Sequence, residues 1–168
     1  MPFVQISDFI GEVVIAQTEQ ANVATTVNRY IAKYETEYLK KVLGHTLFAQ
    51  YNAGIIANTP AYLELRNGGT YTDLHGDTVI YEGLKEAIVN YIYFHYIRDT
   101  VTFTTGGGEK KTDPPRAVSS LDKQVRAWNR MTVLSKAARC FIYAKQSVYN
   151  VTSWQINDIF RPINTLGL

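Results

Sequence analysis

Histidine, cysteine and carboxylate side chains are where catalysis or metal binding would begin, and this chain spaces them poorly for either. Its three histidines, His45, His75 and His95, stand far apart. Only His95 has an acidic residue at helical spacing, Asp99 four positions on, and one such pair falls short of the three or four ligands a zinc site uses. His95 lies in an apolar run and reads as a hydrogen-bonded core residue, because buried polar groups normally find partners. The single Cys140 excludes an internal disulfide, and beside Phe141 on the apolar side of a helix it reads as a small hydrophobe. Gly106 to Thr112, GGGEKKT, superficially resembles a phosphate loop, but the GxxxxGK[ST] spacing is missing and no strand is predicted before it. Neither G-x-S-x-G nor H-E-x-x-H occurs. An enzyme built on His95 and Asp99 ranks last among the readings. No catalytic residue, metal or cofactor is expected.

The other chemistry on offer is positive charge. Formal net charge is only +2, yet Arg116 to Lys145 holds seven basic residues against one acidic, Asp122, so by subtraction the rest carries about four net negative charges. Lys123, Arg126 and Arg130 share one side of a predicted helix, where they form a solvated face or meet an acidic neighbour or phosphate. Lys110, Lys111 and Arg116 belong to a Gly, Lys and Pro-rich stretch, 105–118, expected to be a flexible loop.

Positioning these side chains falls to a mainly α fold, a helical bundle of one domain over 1–168. Its predicted centre is a helix over about 83–104, apolar or aromatic on every side from Ala87 to Ile97 except at Asn90 and His95. Such a helix is buried, and eleven residues are too few for a bilayer, which needs about 20. Gly83 and Glu86 are placed to cap its start. Before it, residues 1–21 read as a partly extended N-terminal arm. A helix capped by Asn22 follows, with Val23, Val27, Tyr30, Ile31, Tyr34, Tyr38 and Val42 at helical spacing, ending at Gly44. A short helix near Leu47–Tyr51 comes next, then one opened by Thr59-Pro60 and stopped by Asn67-Gly68-Gly69. One small β-hairpin is predicted over about 70–81. A long C-terminal helix over 120–149 shows two apolar stripes a third of a turn apart, Leu121, Val125, Trp128 and Met131, then Leu134, Ala137, Ala138, Phe141 and Ile142, which predicts a bend or two different packing partners. The C-terminal tail, 151–168, carries Trp154, Ile156, Ile159, Phe160, Ile163 and Leu166, apolar material that needs covering.

Three blocks, Tyr30 to Tyr51 (YIAKYETEYLKKVLGHTLFAQY), Leu65 to Asp99 with its LRNGGTYTD and YEGLKEAIVNYIYFHYIRD, and Val125 to Gln146 (VRAWNRMTVLSKAARCFIYAKQ), together cover over half the chain. In this order they resemble the head-to-tail connector or adaptor proteins of tailed bacteriophages, of the type in phages of Bacteroidetes, crAss-like ones included. The resemblance implies a structural virion protein in the neck of the particle, present in the host cytoplasm during assembly. It would form a ring with copies of itself, twelve-fold by the family pattern, beneath the portal protein and above a tail or second ring protein. DNA would pass through the channel during ejection with transient, sequence-blind contact, and no membrane is implied. No catalytic residues come with it. Lys110, Lys111, Arg116, Lys123, Arg126 and Arg130 become candidate assembly or channel contacts, and the apolar tail a candidate docking segment. The alternative is a small helical DNA-binding or regulatory protein using the basic face of helix 120–149.

Overall fold

The computed structural model describes residues 2–105, 108–111 and 120–151. Helix α3, Lys85–Val101, runs through the middle of a mainly α bundle, with every residue from Ala87 to His95 buried. Helix α1, Ala21–Ile56, and α4, Ser120–Ala144, both pack on it and meet each other where the Tyr38 and Ser135 hydroxyls pair at 2.8 Å. This is what an all-round apolar helix requires, since each face must find a partner. Helix α1 buries Val27, Ile31, Tyr34, Tyr38 and Val42, as its spacing predicts. It starts two residues earlier than expected, with Gln20 rather than Asn22 at the cap position. Gly44 does break it, at φ +72 and ψ 168, but helix resumes at once and reaches Ile56 because Leu47 and Tyr51 continue the buried stripe.

Helix α2, Pro60–Asn67, has Thr59 at the cap position and proline in its first turn, and Gly68 ends it. Strands β1, Gly69–Thr72, and β2, Thr78–Tyr81, pair antiparallel in the register Gly69 to Tyr81 and Thr72 to Thr78. Two strands alone are marginal in water. This hairpin is held by its tyrosines: Tyr81 stacks on Phe141 of α4 at 4.4 Å, Tyr71 meets the same ring edge-on at 5.8 Å, and the Tyr81 hydroxyl donates to the Leu65 carbonyl at 3.0 Å.

Four expectations are corrected. The capping role given to Gly83 and Glu86 is absent, since Gly83 sits at φ +89 before the helix and the Glu86 carboxylate faces Arg130 instead. The central helix, expected to reach 104, ends at Val101, and β3, Thr102–Thr105, pairs antiparallel with β4, Gly108–Lys111, which falls in the stretch expected to be a loop, so a second hairpin follows. Helix α4 stops at Ala144, and its buried residues Ala127, Met131, Leu134, Ala138, Phe141 and Ile142 form one continuous stripe of helical period, although its halves do meet different partners, Trp128 packing on α3 and Phe141 on the β1–β2 hairpin. The chain then turns through 145–150, tied by the Tyr149 hydroxyl donating to the Ala61 carbonyl at 2.9 Å and by a Lys145–Glu64 ion pair. Cys140 points outward and is exposed, one position from the buried Phe141. The tail residues Trp154, Ile156, Ile159, Phe160, Ile163 and Leu166, with Arg116, lie outside the described residues.

The N-terminal arm is folded onto the bundle by two short 3-10 turns, Ile6–Asp8 and Gly11–Val13, and buries Val4, Phe9 and Ile15. Its anchor is the Glu35 carboxylate of α1, which accepts from the Phe3 and Val4 amides at 3.0 Å. Hydrogen bonds to a charged group are among the stronger ones, so Glu35→Ala should destabilise the chain by about 1–2 kcal/mol. Amide exchange over residues 3–9 should rise well above that of α3. Equal protection of the arm in variant and wild type would show that its apolar contacts suffice.

Candidate interaction site

Lys123, Arg126, Ala127 and Arg130 recur at i, i+3, i+4 and i+7, so one side of the first turns of α4 presents all four together. Opposite stand Asn90 and Tyr93 of α3, and the arm residues Gly11 to Val14 close the third side. These walls line a partly open cavity of ≈ 240 Å³. Its charge is asymmetric. Arg130 is already engaged, its Nε donating to Glu86 at 2.7 Å with Glu82 at 3.7 Å from another nitrogen, and the Glu86 bond holds its pKa above the ordinary value. Lys123 and Arg126 make no ion pair among the described residues, and Glu12 is the one carboxylate in the lining. Tyr93 is buried with Arg126 nearby: burial raises its phenol pKa and the guanidinium pulls it back. Asn90, also buried, donates to the Glu86 carbonyl at 2.9 Å.

A second polar cluster lies between α1 and α3. Glu37 accepts from the Tyr91 hydroxyl at 2.7 Å and from Lys41 at 2.6 Å, while Lys41 also reaches the Tyr91 oxygen at 2.8 Å. Burial pushes Glu37 up, but these bonds outweigh it and leave its pKa below the usual value. His95 stacks on Tyr34 at 4.0 Å and takes the edge of Tyr91 at 4.6 Å. The expected hydrogen bond is not made: both ring nitrogens are buried without a partner. Asp99 is occupied by the Tyr30 hydroxyl at 3.1 Å and by Arg98 at 2.9 Å, so the His95–Asp99 spacing does not become a ligand pair. No group of three potential ligands stands together among the described residues.

Of the six basic residues singled out from sequence, the structure brings Lys123, Arg126 and Arg130 to one cavity. Lys110 and Lys111 fall on β4, separate from it in the chain. A model for a family of unknown function, DUF6712, matches residues 39–140. The chain belongs to that family. The DUF6712 match takes in the α3 and α4 walls of the cavity and the whole β1–β2 hairpin, while the arm that closes the cavity precedes it. No curated protein and no solved structure matches the chain. No described helix is long and apolar enough to cross a membrane.

What sequence reasoning missed is the exposed apolar surface. Leu74 at the hairpin tip is 90% exposed and Ile80 on its outer face 77%, while Ile10 and Val14 stand exposed on the arm beside the cavity and Val133 and Tyr143 on the outside of α4. The signal was present in the hairpin, where Leu74 occupies a turn position usually given to polar residues.

Proposed function

We propose that this DUF6712 protein is a non-catalytic structural subunit, a ring-forming head-to-tail adaptor of a tailed-phage particle that joins the portal to the tail around the DNA channel. The observation that carries this reading is the exposure of large apolar side chains at three places: the β1–β2 hairpin, the arm beside the cavity and α4. Large apolar groups on a soluble surface mark interaction sites when they gather, and a cyclic ring needs two different patches on each subunit. The likeness of three sequence blocks to phage connectors supplies the identity of the assembly. The DNA-binding alternative loses support at Arg130, which is paired with Glu86 and Glu82, so that only Lys123 and Arg126 of the three cations on that side carry no ion pair among the described residues.

The test is the purified chain at physiological salt, by light scattering and negative-stain imaging, alone and with the portal protein of the same phage. Ring-shaped particles, free or capping the portal, are the expected result. A monomer that ignores portal but shifts duplex DNA, with affinity falling steeply as salt rises, would overturn the proposal in favour of the DNA-binding reading.

A further inference from the structure

The cavity between α3, α4 and the arm is built but incomplete. At ≈ 240 Å³ it is smaller than the roughly 300–1,000 Å³ of ordinary small-molecule sites, and a duplex cannot enter it. One or two side chains of another protein fit that space. An acidic one would meet Lys123 and Arg126, which outnumber the Glu12 carboxylate of the lining, and an apolar neighbour would suit the exposed Val14 and Ile10 at the rim. This chain itself carries such a group. At the β1–β2 turn Asp73 accepts from the His75 amide at 2.8 Å and the Asp77 amide at 2.9 Å, which fixes the turn and leaves Leu74 outward. The Asp77 carboxylate makes no ion pair among the described residues.

We propose that the Asp73–Asp77 tip of one copy seats in the Lys123 and Arg126 cavity of the next, Asp77 meeting the two cations and Leu74 the apolar rim. The fastening of the hairpin holds its tip away from its own cavity, although Glu82 at the base of β2 lies 3.7 Å from Arg130. The hairpin is fastened to Phe141, fifteen residues and about 22 Å along α4 from Arg126 at 1.5 Å per residue, whereas the tip lies only three residues beyond Tyr71, about 10 Å of strand. Donor and acceptor surfaces therefore differ, the contact is heterologous, and repetition closes a ring or runs on as a filament. The inference rests on the ring reading and names the contact that reading needs.

Charge reversal with rescue tests it on the full chain. Asp77→Lys changes an exposed side chain and spares the Asp73 turn, so it should fold as wild type by circular dichroism. Lys123→Glu with Arg126→Glu reverses the cavity. Each should weaken self-association in sedimentation velocity at least about tenfold, as removal of a desolvated charge partner does. An equimolar mixture of the two variants should recover pairing, and the triple variant should assemble again. Reversal variants that associate like wild type would overturn this contact and leave the ring reading standing. A wild-type chain that self-associates neither alone nor on the portal would overturn both.

Discussion

Gly83→Ala is expected to lower the stability of the folded chain by at least about 2 kcal/mol, the sum of backbone strain and a collision that no side-chain movement relieves. Gly83 joins β2 to α3 at φ +89, a conformation that strains any residue with a Cβ. A Cβ there would meet the Arg66 oxygen and the Asn67 carbonyl carbon at 2.7 Å and the Gly68 nitrogen at 2.8 Å, all backbone. Gly68 faces it from the end of α2, at φ +103 with its own notional Cβ 2.6 Å from the Tyr81 oxygen. The Leu84 amide donates to the Arg66 carbonyl at 3.1 Å across this crossing, so the two glycines let α2 end against the start of α3. Urea unfolding should show a lower midpoint for Gly83→Ala with little change in slope. Gly68→Ala should act alike, and the double variant should fall short of the sum, because both disturb one contact. Gly76→Ala is the control. Its φ is +90 but nothing lies within 4 Å of the added carbon, so it should cost about 1 kcal/mol of strain alone. A Gly83→Ala chain as stable as that control would remove the crossing from the account.

These effects explain which parts of the fold were legible in the sequence. Helix α3 was plain because its run from Ala87 to Phe94 is apolar without a polar face, a local property. The first half of α1 and the Thr59-Pro60 start of α2 were readable for the same reason. The register of α4 was misread because Leu121 and Val125 drew the stripe toward themselves, while the buried position is Ala127, whose small side chain lets α4 approach α3. Gly44 gave the break, but not the resumption of helix beyond it, which depends on Leu47 and Tyr51 finding the core. The basic cluster was visible as spacing. Its conversion into a cavity was not, because the arm lies over a hundred positions away in sequence from Lys123, and Arg130 is quenched by carboxylates at positions 82 and 86. Long-range complementarity of this kind leaves no periodic trace.

His95 should make the protein lose stability as pH falls, by on the order of 3 kcal/mol between about pH 6.5 and 4. Burial lowers its pKa from the ordinary 6.5 to about 4, with the Arg98 charge adding to the effect and Lys41 contributing, while Glu37 and Asp99 pull the other way. Above pH 6.5 the imidazole is neutral whether the chain is folded or not, and the group contributes no pH dependence. Between 6.5 and 4 the unfolded chain takes up a proton that the folded chain refuses, so the unfolded state gains. Below about 4 both states are protonated and this loss is complete. The geometry agrees with the sign. The ring is 8% exposed, lies flat on Tyr34 and against Tyr91 and Phe94, and offers neither nitrogen an acceptor. His95→Phe keeps the aromatic packing and removes the titration. In urea unfolding at pH 7 the variant should match or exceed wild type, because two unmet nitrogens no longer have to be buried. At pH 4.5 the advantage should widen to about 2 kcal/mol or more. Glu37, whose pKa is held below the usual value by Lys41 and Tyr91, would lose its contribution only at lower pH, which separates the two groups on the pH axis. A variant with the same pH slope as wild type between 6.5 and 4.5 would assign that slope to the carboxylates and leave His95 as a packed ring without a role in acid sensitivity.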